Sequence, residues 1–161
     1  MSGASSGARP TPDRKVWPSV SIDRVAPPAP RGDYRAAVVH DGVVYTAGMT
    51  PRRDGRLTVA GVVGADVTPA QARSAARLAA ANALAAAGAA LPDGARLRCL
   101  KMTVYVACTP DFTELSAVAD GASEEIRARF GEQALPARSA IGVLALPSGA
   151  PVEVELVAVG V

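Results

Sequence analysis

Arg138, Glu153 and Glu155 are the residues whose type and placement invite chemistry. The run from Leu135 to Leu146 and the run from Val152 to Val159 are apolar and partly β-branched. They flank the turn formers Pro147-Ser148-Gly149-Ala150-Pro151, so they read as two strands joined by a turn. Side chains alternate between the faces of a strand. Arg138, Ala140 and Gly142 therefore share one face of the first strand, and Ser139, Ile141 and Val143 share the other. In the second strand Glu153 and Glu155 share a face opposite the apolar Val152, Val154, Leu156 and Ala158. Charges on strands this hydrophobic are costly to bury unless they are paired or used. Two readings stand open: a structural ion pair or solvated acidic face, and an anion-binding guanidinium working with a carboxylate base.

The remaining reactive side chains are sparse. His40, the only histidine, adjoins the Asp41-Gly42 turn and reads as exposed and without a partner. Cys99 and Cys108 fall on one expected strand, on the order of 30 Å apart at about 3.3 Å per residue, too far to bridge. Neither has a nearby histidine for a metal site, so both are expected reduced, Cys108 as a half-buried inert thiol or a reactive one beside a cleft. Ser139 has no His–Asp partners and is not a nucleophile. Asp111 is placed to favour the start of a helix. Arg52, Arg53 and Arg56 read as a solvated, mobile lip.

Size and composition bound the rest. The chain of 161 residues is 49% hydrophobic and 20% charged, which suits one globular domain with a real core. A net charge of +2 does not point to nucleic acid. No apolar run approaches the ~20 residues of a membrane helix, and the first residues lack the apolar heart of a signal peptide. The expectation is a cytoplasmic protein without a membrane partner.

The elements that must carry the charged strands follow in order. Residues 1 to 18, rich in Ser, Gly and Pro, read as a flexible tail, and residues 19 to 161 as a single domain. Val20 to Val25 reads as a short edge strand, and the prolines of the following segment forbid regular pairing. Tyr34 to His40, Asp41-Gly42 and Val43 to Ala47 spell a hairpin. Gly48 ends its second strand, and a loop runs from Met49 to Val67. Thr68-Pro69-Ala70-Gln71 opens a helix with a capping box and Pro in its first turn, and Gly88 stops it. Leu97 to Val106 is a strand. A second helix starts at Thr109-Pro110-Asp111-Phe112, with Leu115, Val118, Ala122, Ile126 and Phe130 as its inward stripe and Gly121 as its weak point. The order predicts an α+β fold: a mixed sheet with two helices packed on one face, and an oligomer to cover the other.

Set in this order, Gly32-Asp33-Tyr34, Val43-x-Tyr45-Thr46-Ala47-Gly48, Gln71-Ala72-Arg73, Lys101-x-Thr103-Val104-Tyr105-Val106, Pro136-Ala137-Arg138-Ser139 and Val152-Glu153-Val154-Glu155 resemble the Rid/YjgF family over residues 20 to 161. The resemblance implies a chorismate-mutase-like fold assembled as a homotrimer with clefts between subunits. Such clefts hydrolyse reactive 2-imino and 2-enamino acids to 2-oxo acids and ammonia, with no metal or organic cofactor. It further implies that Arg138 binds the substrate carboxylate, Glu153 places the attacking water and Tyr34 lines the cleft. Backbone at Ala140 would meet the substrate nitrogen, and Gly48 and Ser116 would complete the substrate-binding set.

The chain departs from the family pattern where Ser116 replaces a common Asn, Ala47 a Ser and Ala140 a Cys. A few extra residues also fall between Gly88 and Leu100 and between Ser116 and Pro136. These changes imply an altered substrate range. The alternatives are an enzyme taking a bulkier imine or enamine in specialised biosynthesis, and a non-catalytic trimer binding small carboxylic acids. A ribonuclease is disfavoured, for want of a histidine pair, a basic stripe or an aromatic platform.

Overall fold

A computed structural model describes residues 26–161. The expected tail and the expected edge strand at Val20 to Val25 lie outside the described residues. Strands β1 (Ala37–His40) and β2 (Val43–Thr46) form the expected hairpin. Asp41 and Gly42 carry its turn with φ of 48° and 76°, the left-handed pair that matches strand twist. The loop after Gly48 contains a second, unforeseen hairpin, β3 (Arg52–Arg53) and β4 (Arg56–Leu57), closed by Asp54-Gly55. Arg52 is no part of a mobile lip: its guanidinium donates to Thr50, to the Gly55 carbonyl and to Ser148.

Helix α1 (Pro69–Ala89) begins with the predicted capping box, the Thr68 hydroxyl accepting from the Gln71 amide and the Gln71 side chain accepting from the Thr68 amide. It runs through Gly88 instead of stopping there, since the alanines on either side hold the helix to a cap at Ala90. Strand β5 (Leu97–Ala107) follows. Helix α2 (Leu115–Phe130) starts later than expected, because Thr109 to Phe112 closes a separate turn, the Phe112 amide donating to the Thr109 carbonyl.

The last strands, β6 (Ala137–Val143) and β7 (Val152–Gly160), are joined in sequence but are not neighbours. The sheet order is β1-β2-β7-β5-β6: β7 lies antiparallel to both β2 and β5, while β6 lies parallel to β5 on the far edge. A parallel pair needs a crossover, and α2 supplies it. Both helices pack on one face, as expected, and bury Met102, Val104, Val152, Val154 and Leu156 beneath them. The opposite face leaves Val38, Tyr45 and Ile141 exposed.

The core is built mainly of Ala and Val, with aromatics only 4% of the chain, so cohesion depends on close backbone approach instead of large side chains. Gly121 sits where α2 crosses α1, and a Cβ there would lie 2.0 Å from the Arg73 carbonyl oxygen. Helix propensity alone favours Ala over Gly by about 1 kcal/mol. Overpacking against rigid backbone costs about 1–3 kcal/mol or more, so the clash wins. Gly121→Ala is expected to lower the urea midpoint by a net ~1–2 kcal/mol in stability; a midpoint at or above wild type would show that the helices do not meet there.

Candidate functional site

Glu153 stands on the open face of β7 with Glu155, because Val152 and Val154 point into the core beneath the helices. Beyond the end of β2 the chain continues beside it, Met49 and Val154 exchanging backbone hydrogen bonds of 2.8 and 2.9 Å. This brings Gly48 flush against the carboxylate: a Cβ on Gly48 would fall 2.0 Å from Glu153 Oε1. Among the described residues the Glu153 carboxylate accepts no side-chain hydrogen bond. Burial, and then the neighbouring Glu155, push its pKa above the ordinary 4.5. Glu155 itself accepts from the Tyr105 hydroxyl at 3.0 Å. The half-buried carboxylate is thus more basic than an ordinary one and lies close to backbone that only glycine permits.

Arg138 lies on β6 in register with Met102, whose side chain is in the helix-side core, so its own side chain turns toward α2. There it donates to Asp120 (2.8 Å), Ser123 (2.7 Å) and the Ser116 hydroxyl (2.9 Å). These three residues recur at four- and three-residue spacing, so they form one stripe of the helix. The stripe is the part of the site that reading the strands alone overlooks, although the spacing of Ser116, Asp120 and Ser123 was visible. The ion-pair partner of Arg138 is therefore Asp120 and not a glutamate of β7. Ala140 follows on the same face, packed against the core.

The expected site residues thus gather in two separate groups, Gly48 with Glu153 and Arg138 with Ser116. They do not share a surface, because Glu153 is in register with Tyr105 and Ile141 on the open face while Arg138 is in register with core residues. Tyr34 is 51% exposed at the approach to β1, its hydroxyl accepting from the Arg31 amide, and joins neither group. Ser139 accepts from Lys101 on the open face. His40 is exposed and sits 3.4 Å from Asp41, so it does have a partner. Cys99 is buried with its thiol pKa pushed up to about 12, and Cys108 is half-buried; both are free. Among the described residues no cluster of ligating side chains could hold a metal, and no helix is long and apolar enough to cross a membrane.

Because folding raises the Glu153 pKa, the fold favours the protonated acid. That contribution is full below the ordinary pKa of 4.5 and is lost as pH rises through the raised value. Glu153→Gln, a neutral isostere, is therefore expected to melt above wild type at neutral pH, with the gap closing as pH falls toward 4.5. Thermal midpoints taken across that range check this; an offset independent of pH would contradict a desolvated carboxylate.

Known proteins share this arrangement of chain. The family model described as Endoribonuclease L-PSP matches residues 24–160. Protein TCP17 of Trypanosoma cruzi is 39% identical over 138 residues, 84% of this chain and 86% of its own. Among solved structures, Atu1372 of Agrobacterium tumefaciens, of unknown function, is 36% identical with a TM-score of 0.75, covering 82% of this chain and 85% of that one. The YjgF gene product of E. coli is 27% identical with a TM-score of 0.59, covering 88% and 97%. With the mixed five-stranded sheet and both helices in common, the chain belongs to the Rid/YjgF family, the one that the L-PSP description covers.

Proposed function

We propose that the protein is a cofactor-independent hydrolase of 2-imino and 2-enamino acids, working in clefts between the protomers of a homotrimer. The observation that carries this reading is the Glu153 carboxylate, raised in pKa, unbonded by other side chains and lodged against Gly48. In the proposed reaction the guanidinium of Arg138 takes the substrate carboxylate as a fork. A water held by Glu153 adds its oxygen to the carbon of the protonated imine and gives one proton to the carboxylate, leaving a carbinolamine. Glu153 then passes that proton to the carbinolamine nitrogen and takes up the hydroxyl proton as the C–N bond breaks, so that ammonia leaves and the 2-oxo group forms. Because the substrate is already electrophilic, orientation supplies much of the acceleration.

The two half-sites lie on opposite faces of one sheet, so a cleft that uses both takes Arg138 and Ser116 from one protomer and Gly48 and Glu153 from its neighbour. The uncovered sheet face, with Val38, Tyr45 and Ile141 exposed, supports such an assembly. Small side chains at Ser116 and Ala140, where the family often has larger ones, favour a bulkier substrate within the same chemistry. The ribonuclease description has less support, since His40 is the only histidine and lies exposed beside Asp41.

Ammonia release from iminoalanine, generated in situ by a pyridoxal-phosphate dehydratase, is the direct assay. Arg138→Ala and Arg138→Lys are expected to lower kcat/KM about a hundredfold or more while the assembly elutes unchanged. Full activity in Arg138→Ala would remove the proposed role, and stabilisation by 2-oxo acids without turnover would reduce the protein to a carboxylate binder. A second outcome follows from the geometry. Arg138→Ala and Glu153→Gln chains, each inactive alone, should regain part of the activity when unfolded and reassembled together, since some mixed clefts then contain both native residues. No recovery in verified mixed assemblies would place the two residues in one protomer's site.

A further inference from the structure

The outer surfaces of α1 and α2, the β3–β4 hairpin and the proline-rich segment at residues 26 to 31 line a half-open cavity of about 890 Å³. Small organic ligands occupy cavities of roughly 300–1,000 Å³. It opens on the helix side of the sheet, away from the face that carries Glu153. α1 lines it with Ser74, Arg77, Leu78, Ala81 and Asn82, a single stripe at helical spacing.

Its charge is out of balance with the rest of the chain. Residues 26 to 161 contain thirteen Lys and Arg against thirteen Asp and Glu, so they are formally neutral. The cavity lining nonetheless has five arginines against two carboxylates, Asp54 and Glu125. Glu125 is already paired twice: Arg77 Nε donates to one of its oxygens at 3.0 Å and Arg129 Nε to the other at 2.6 Å. The terminal nitrogens of both arginines are left without a carboxylate partner among the described residues. Arg52 is fixed by three neutral acceptors, the Thr50 and Ser148 hydroxyls and the Gly55 carbonyl. The exposed side chain of Arg53 beside it has no hydrogen-bond or ion-pair partner among the described residues. Fixed and unpartnered guanidinium groups around a concave space attract an oxyanion, and their low reorganisation makes the binding geometric as well as electrostatic. Pro27, Pro28, Leu78 and Ala81 add apolar wall, which suits a carbon skeleton.

We infer that this cavity is a second binding site, separate from the Arg138 and Glu153 half-sites, for a small organic anion with a phosphate or carboxylate headgroup. The headgroup lies at Arg52 and Arg53 on the hairpin, and the skeleton rests on the proline segment and on Leu78.

Calorimetry on the full-length assembly tests this with phosphoglycolate and succinate as probes, against sodium chloride at matched ionic strength. Saturable binding is expected. Arg53→Glu, which breaks no side-chain hydrogen bond or ion pair, is expected to weaken it about tenfold or more, and Arg138→Ala to leave it unchanged. Tighter phosphoglycolate identifies a phosphate headgroup and tighter succinate a carboxylate one; both support the site. Heat no greater than the chloride control, or affinity unchanged in Arg53→Glu, overturns it. Binding lost in Arg138→Ala but kept in Arg53→Glu also overturns it, because the anion is then at the proposed hydrolytic cleft.

Discussion

Helices cover the five-stranded sheet on one face only, and strand alternation sorts every side chain of β5, β6 and β7 to the covered or the bare side. On β7 the sorting gives Val152, Val154 and Leu156 to the core and both glutamates to the bare face. On the edge strand β6 the same rule turns Arg138 toward the helices, where α2 supplies the acceptors that a largely buried guanidinium needs. The polar work of the molecule is thereby split in two, with a base on one surface and a cation at the rim of the other. That separation is what makes association part of the proposed chemistry and not merely a way to hide apolar area.

The covered side works by close approach. Alanines at most buried positions of α1 let the helix lie low on the sheet, and Gly121 lets α2 lie low on α1. A core of short side chains gains less per residue than one of Leu and Phe, so the helix pair is tied at its outer seam by ion pairs. Arg73 with Glu124 is partly exposed and screened by solvent, so it adds little. Glu125, nearly buried and held by two arginines, is a different case. Loss of either arginine leaves a desolvated carboxylate half satisfied, which costs far more than an exposed pair contributes.

What the sequence made legible was local. The Asp41-Gly42 hairpin and the Thr68 to Gln71 capping box are set by residues within four positions of one another, and both form as read. Gly88 and Thr109 misled because the surrounding sequence outweighs each signal: alanines continue the helix through the first, and a compact turn absorbs the second. The partnership of Arg138 with Ser116, Asp120 and Ser123 spans 15 to 22 positions and depends on the parallel crossover. Periodicity gives the stripe on α2 but not the strand it meets. The meeting of Gly48 with Glu153 is more distant still, and only the resemblance suggested that both belong to a site.

The Arg138 contacts bear on how a substrate could use it. All four terminal N–H groups have acceptors on α2: Asp120, Ser123, and the hydroxyl and carbonyl of Ser116. An incoming carboxylate must therefore exchange with at least one of them. The Asp120 side chain is 49% exposed, so water can replace the guanidinium there at small cost, about 0–1 kcal/mol. A carboxylate enclosed between protomers forms charge-assisted bonds worth about 1.5–3 kcal/mol each. On the proposed reading, the exchange is favourable once a cleft between protomers is closed and close to neutral before it. In the proposed site Asp120 would keep the guanidinium aligned along α2 without competing strongly with a carboxylate ligand. A bound glutamate with the same reach, more deeply buried, would hold the arginine too firmly for it to serve as an anion receptor.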